Sequence, residues 1–141
     1  MNSSQPGRVP HQLVVDSRGN LAPFNLDSEP FKNFRRIFVT SNLNLNETRG
    51  GHAHKKQRQL LFVVQGRFRI TIESKTLNGE VEIGPIDDGI LVEPMTWSTQ
   101  TPLVESSVLM VFCSDQYDES DYIRNHNDFV SGSYLSREKH E

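Results

Sequence analysis

The sequence is poor in several things at once, and each shortage removes a class of function. Its 141 residues hold one cysteine, Cys113, which cannot close an internal disulfide or build a thiolate zinc cage. That cysteine ends the apolar run Val108-Leu109-Met110-Val111-Phe112, where a buried, inert thiol is expected. Positive charge is not in excess: 15 Lys and Arg stand against 18 Asp and Glu, for a net charge of -3. A chain built to grip a phosphate backbone is usually far more basic, so nucleic acid is disfavoured as a partner, whereas a small phosphorylated ligand is not. Long hydrophobic runs are missing too. The longest, at 60–64 and 108–113, are too short to cross a bilayer, and the start MNSSQPGRVPHQL lacks the apolar core of a signal peptide. The expectation is a cytoplasmic protein with no membrane partner.

What the sequence does have is short, turn-punctuated strands. Segment 58–65 is followed by Gly66, a turn or bulge residue, and then by 67–73, where Phe68, Ile70 and Ile72 alternate with Arg67, Arg69 and Thr71. Asn78-Gly79 reads as a hairpin turn leading into a strand at 80–83, and Asp87-Asp88-Gly89 as a turn before 90–92, which Pro94 ends. Further strands are expected at 12–15 and 35–40, and at 108–112, which is apolar throughout and so buried on both faces. Helical potential is confined to the tail beyond Ser120. The pattern predicts one all-β domain over 1–141, an antiparallel sandwich or small barrel, with an N-terminal extension at 1–11 and a C-terminal tail at 131–141.

Of five histidines, His11, His126 and His140 have no companion ligand nearby and read as surface residues. His52 and His54 differ. In Arg49-Gly50-Gly51-His52-Ala53-His54-Lys55, two imidazoles two residues apart share one face of an extended strand, and the double glycine lets the backbone enter at an unusual angle or a ligand come close. Three roles compete for the pair. A metal clamp of the cupin kind needs a Glu and a further His, but those positions hold Gln59 and Ser98, a poor donor set for iron or manganese. Acid–base catalysis suits an imidazole kept neutral by the cations Arg49, Lys55 and Lys56. A binding pocket without chemistry is the third. Arg18 and Arg49, each beside glycine, offer guanidinium forks for a pyrophosphate; Arg67 and Arg69 share a strand face, and Trp97 offers a stacking surface.

Four blocks carry a family resemblance. They are Asp16-Ser17-Arg18-Gly19-Asn20-Leu21, Arg36-Ile37-Phe38, Arg49-Gly50-Gly51-His52-Ala53-His54-Lys55, and Ser114-Asp115-Gln116-Tyr117-Asp118-Glu119-Ser120-Asp121-Tyr122-Ile123-Arg124. In order and spacing from about residue 12 to 130, the sequence resembles the nucleotide-linked 4-keto-6-deoxyhexose 3,4-ketoisomerases. The resemblance implies a cupin-type jelly roll, homodimeric, with no metal and no cofactor, that binds a dTDP-linked 4-keto sugar and moves its carbonyl from C4 to C3 for deoxy- and amino-sugar synthesis toward surface glycans. It implies His52 and His54 as the catalytic groups and Arg18 as a substrate ligand; Arg49, Gln59, Arg69, Phe38, Trp97 and Ser98 complete the expected substrate site. Two departures stand out. A tyrosine usual in the strand after Arg36 is replaced by Phe38 or Val39, and a histidine usual after the tryptophan is Ser98. The competing class is a catalytically silent cupin that binds a sugar nucleotide; a metal-dependent cupin oxygenase is weaker.

Overall fold

A computed structural model describes residues 6–10 and 12–135. Two five-stranded antiparallel sheets face each other. The first runs, edge to edge, β1 (Gly7–Val9), β9 (Gly89–Val92), β6 (Gln59–Gln65), β11 (Val108–Cys113) and β4 (Arg36–Thr40). The second runs β12 (Tyr122–Ile123), β5 (Arg49–His54), β10 (Trp97–Pro102), β7 (Phe68–Glu73) and β8 (Asn78–Ile83). A separate hairpin pairs β2 (Val14–Asp16) with β3 (Gly19–Leu21), all six residues exposed. One short helix, α1 (His126–Ser131), follows β12, its start capped by the Asn125 side chain accepting from Asp128 N–H. This is the expected all-β, jelly-roll-like sandwich.

The core explains the apolar runs. Leu61, Val63, Leu109, Val111 and Cys113 point between the sheets to meet Phe68, Ile70 and Ile72 of β7. Their neighbours Leu60, Phe62 and Phe112 point the other way, into a second cluster with Phe31, Phe24 and Phe34 from the segment before β4. Rings in that cluster approach edge-on, as between Phe24 and Phe62 at 4.8 Å. Both faces of β6 and β11 are thus covered, which is why their sequences do not alternate.

Several expectations shift by small amounts and a few by more. Part of the presumed N-terminal extension is a sheet strand: Gly7 to Val9 pair with Leu91 to Gly89. Asn78-Gly79 is not a turn but the start of β8, opposite Glu73 and Ile72; the chain reverses at residues 74–77, where Ser74 N–H donates to the Leu77 carbonyl. Gly66, at φ 82°, does make the β6–β7 turn. The tail holds a strand, β12, before its helix, and Tyr134 and Leu135 beyond it line a hollow with Phe129 and Met95. His11, His140 and the last residues of the tail lie outside the described residues.

Candidate functional site

The histidines enter the site through a bulge. Ser98 pairs with His52 and Thr99 with Gly50, so Gly51 is the extra residue on β5. Gly50 and Gly51 sit at φ 80° and 71°, backbone that favours glycine, and a Cβ on Gly50 would stand 2.8 Å from the Ser98 carbonyl oxygen. Ser98 is also opposite Ile72, an inward-facing core residue, so His52 and, two residues on, His54 face the space between the sheets. Their rings meet edge-on at 4.9 Å.

The two imidazoles are held differently. His54 is 4% exposed and tied at both nitrogens: Nδ1 donates to Asp121 Oδ2 at 3.3 Å, and the Gln57 side-chain amide donates to Nε2 at 3.4 Å. Asp121 is itself fixed, accepting from the backbone N–H groups of Lys56 and Gln57 at 2.9 and 3.2 Å. A single 3₁₀ turn (Glu119–Asp121), capped by Asp118, delivers it, and β12 then pairs along β5 with Tyr122 opposite His54. Burial lowers the basicity of His54 below the ordinary imidazole value, against the pull of Asp121 in the other direction. His52 is lowered further, to about 4, by burial first and then by the neighbouring His54 and Arg124 charges. Both rings are therefore neutral at pH 7. Among the described residues, His52 Nδ1 is the buried side-chain nitrogen or oxygen left without a hydrogen-bond partner.

An aromatic and a charged wall adjoin them. The Tyr122 ring lies 4.3 Å from His54 and 4.8 Å from His52, with the Arg124 guanidinium 4.1 Å over it. Arg124 forks onto Glu119 at 2.6 and 2.8 Å, which holds that carboxyl down at about 2. Across the opening stands β4, with Arg36 over the Phe38 ring.

Of the sequence-predicted residues, the fold brings Phe38, Arg49, His52 and Gln59 around one cavity of about 90 Å³, joined by Thr40 and Gln100. Phe38 faces inward, opposite Val111, while Val39 is exposed, so Phe38 is the residue standing where the usual tyrosine is missing. Ser98 is buried opposite His52, outside that lining, and accepts from the Gln100 amide at 2.9 Å. The Gln59 amide is directed at the Cys113 thiol at 3.8 Å. Arg69 and Trp97 are not in this group. The strand pleat turns them to the outer face of the second sheet, Arg69 toward Glu82 and Trp97 against His126 and Phe129. Arg18 lies at the exposed tip of the β2–β3 hairpin, paired with Asp16 at 2.7 Å. A hollow of about 890 Å³ lies under α1 beside Met95, Phe129 and Tyr134 and holds neither histidine.

The donor set does not fit a cupin metal. Among the described residues no three His, Cys, Asp or Glu side chains converge, and His54 has both nitrogens engaged within the protein. The residues that sequence reasoning left without roles are Gln57, Gln100, Asp121 and Tyr122. The only signal for Asp121 and Tyr122 was the block 114–124; nothing in one sequence brings Asp121 to a histidine 67 positions away.

Comparison with known proteins agrees with this geometry. The family model FdtA, described as WxcM-like, C-terminal, matches residues 9–133. The TDP-4-oxo-6-deoxy-alpha-D-glucose-3,4-oxoisomerase of Aneurinibacillus thermoaerophilus is 31% identical over 116 residues, covering 82% of this chain and 84% of that one. Among solved structures, a histidine-to-asparagine mutant of the 3,4-ketoisomerase QdtA from Thermoanaerobacterium thermosaccharolyticum, in complex with TDP-4-keto-6-deoxyglucose, superposes with a TM-score of 0.82 at 25% identity, covering 89% of this chain and 91% of that one. A 3,4-ketoisomerase from Helicobacter canadensis gives 0.80 at 25% identity, covering 92% and 97%. By its sequence blocks, its sandwich and its paired histidines, the chain belongs to the FdtA family, WxcM-like, C-terminal, whose relatives here are sugar 3,4-ketoisomerases.

Proposed function

We propose that this protein is a 3,4-ketoisomerase that converts a dTDP-linked 4-keto-6-deoxyhexose to the 3-keto sugar, with His54 as the base. The observation that carries the reading is the pair His54–Asp121: a buried, neutral imidazole whose Nδ1 proton is held by a fixed carboxylate, in a chain 31% identical to a TDP-sugar oxoisomerase. A hydrogen beside a ketone is only weakly acidic, so the reaction needs a positioned base and a donor for the developing oxyanion. His54 Nε2 takes the C3 proton, and the Gln57 amide that rests on it at 3.4 Å turns aside. Asp121 steadies the imidazolium that forms. The imidazolium exchanges its proton with water while the enediol lasts and then protonates C4, giving the 3-ketose with no net gain or loss. His52, neutral and beside the reacting carbons, bonds the sugar oxygens.

Arg49, at the rim of the cavity, and Arg18, on the hairpin, are the proposed ligands of the pyrophosphate, drawing binding energy from a part of the substrate that does not react. No step passes through a metal or a cofactor. The chain acts as a homodimer in the cytoplasm, serving deoxy- and amino-sugar synthesis for surface glycans. The exposed Val14, Val15 and Leu21 of the hairpin support self-association, and no helix among the described residues is long and apolar enough to cross a membrane.

Phe38 gives a second reading its one support: without a hydroxyl facing inward there, the fold suits a silent binder of sugar nucleotides. Incubation with dTDP-4-keto-6-deoxyglucose in D₂O, followed by NMR, separates the two. The isomerase incorporates solvent deuterium into the ring and forms the 3-ketose; a binding module gives no label above the spontaneous rate, since binding alone does not make C3 acidic.

A further inference from the structure

Two polar groups in the mouth of the sandwich are unspent, and the rings that carry them lie 4.8 Å apart. One is His52 Nδ1, buried without a partner among the described residues. The other is the Tyr122 hydroxyl. The chain has three tyrosines. The Tyr117 hydroxyl donates to Glu119 at 2.7 Å, and that of Tyr134 reaches Met95 Sδ at 3.9 Å. Tyr122 makes ring contacts with both histidines and takes Arg124 on its face, yet its hydroxyl has no hydrogen bond to a described residue. Its oxygen is not among the buried unpartnered atoms, so the hydroxyl reaches solvent beside two imidazoles and is free to meet a ligand.

The direction of the ring strengthens the point. Tyr122 stands opposite His54 across the β12–β5 pair, so it lies on the inward side of that edge. Arg36, on the edge strand β4 of the other sheet, is the residue that covers Phe38. Tyr122 lines a separate hollow of about 770 Å³ with Asp121 and Arg124, and its ring meets His52, which lines the cavity of Phe38, at 4.8 Å. Burial pushes the phenol above its ordinary value, which keeps it protonated, and so a donor, at neutral pH.

We propose that Tyr122 is a catalytic residue of the isomerisation and supplies the phenol that Phe38 does not. The inference rests on the ketoisomerase reading above. As His54 takes the C3 proton, the electron pair of that C–H bond forms the C3–C4 double bond, and the carbonyl pair moves to O4, which takes the Tyr122 proton. In the second half the phenolate takes the proton from O3 while C3=O forms, and C4 receives the proton from the His54 imidazolium. Tyr122 and His54 return to their starting states, and the net change is one hydrogen lost from C3 and one, exchanged with solvent on His54, gained at C4.

The experiment compares the wild type, Tyr122→Phe, Phe38→Tyr and the double variant on dTDP-4-keto-6-deoxyglucose in D₂O. It follows ring deuterium and 3-ketose by NMR, with folding checked by circular dichroism. Tyr122→Phe should lose roughly 10²–10⁴ in turnover, the range for one proton-transfer group. Adding Phe38→Tyr should return at least about tenfold of it, because a phenol re-enters the opening. Turnover of Tyr122→Phe close to wild type overturns the proposal, and so does a loss that the double variant leaves unchanged, which would make Tyr122 a packing partner of the histidines. If Tyr122→Phe does not fold, 3-fluorotyrosine placed at 122 keeps the shape with a more acidic phenol. It should then move the alkaline limb of the turnover–pH profile to lower pH, and an unmoved limb overturns the proposal. A wild type that neither labels nor isomerises any dTDP- or UDP-linked 4-keto hexose defeats the ketoisomerase reading itself; an active wild type with an equally active Tyr122→Phe defeats this inference alone.

Discussion

The two faces of the second sheet are made of the same strands and differ in almost everything else. On the inner face, His52 and Gln100 share a cavity with Phe68, Leu61 and Val111, and a neutral imidazole persists there because charging it is costly. On the outer face, Arg69 pairs with Glu82 in partial exposure and Trp97 holds α1 through Phe129. The difference teaches that nearness in sequence is a poor guide within a strand. Trp97 and Ser98 are adjacent in the chain and serve opposite sides, one fixing a helix and the other facing the histidines.

If that division is right, damage to the inner face should stop turnover while the outer face tolerates change. The largest expected effect is from His54→Asn, which keeps size but cannot take a proton at neutral pH; turnover should fall by roughly 10²–10⁴ with the fold intact by circular dichroism. Asp121→Asn comes next. It removes the carboxylate that supports the imidazolium, and turnover should fall by less than with His54→Asn. Since Asp121 raises the His54 basicity, its loss should also move the acid limb of kcat/KM to lower pH, and an unmoved limb would separate Asp121 from the base. Gly50→Ala should cost about 2 kcal/mol in denaturant unfolding, from its positive φ and the Ser98 carbonyl 2.8 Å from the new methyl. Smallest of all, Arg69→Ala should leave kcat/KM within about twofold, because an exposed ion pair contributes ~0–1 kcal/mol. A large loss there would place substrate on the outer face and erase the comparison.

The fold is most legible in the sequence where one physical rule acts alone. The alternation of Phe68, Ile70 and Ile72 announced β7, and the continuous apolar run announced β11, because burial was the only demand on them. That legibility fails on β10: Trp-Ser-Thr-Gln-Thr-Pro shows no apolar period, since its inward positions Ser98 and Gln100 furnish the site rather than the core. Asn78-Gly79 misled because a turn-forming pair can also lie within a strand when the reversal is made by the four residues before it. The histidine pair was legible from its two-residue spacing. Its partners were not, because Asp121 reaches His54 through the pairing of β12 on β5, a long-range event that local pattern does not encode.

The unpartnered nitrogen of His52 also sets a limit on the acid tolerance of the fold. In the native state the ring resists protonation down to about pH 4, whereas in the unfolded chain it accepts a proton near 6.5. The unfolded state thus binds more protons throughout that interval, and stability falls as pH drops from 6.5 toward 4, by at most about 3 kcal/mol for this one group. Above 6.5 both states are neutral and the penalty vanishes. His52→Asn carries no such proton, so its melting temperature should decline less steeply than that of the wild type between pH 6.5 and 4, and parallel slopes would show that the ring is not shielded. Drawn this way, the residue that keeps the mouth uncharged for chemistry near neutrality is also a built-in fuse, the part of the molecule that gives way when its surroundings turn acid.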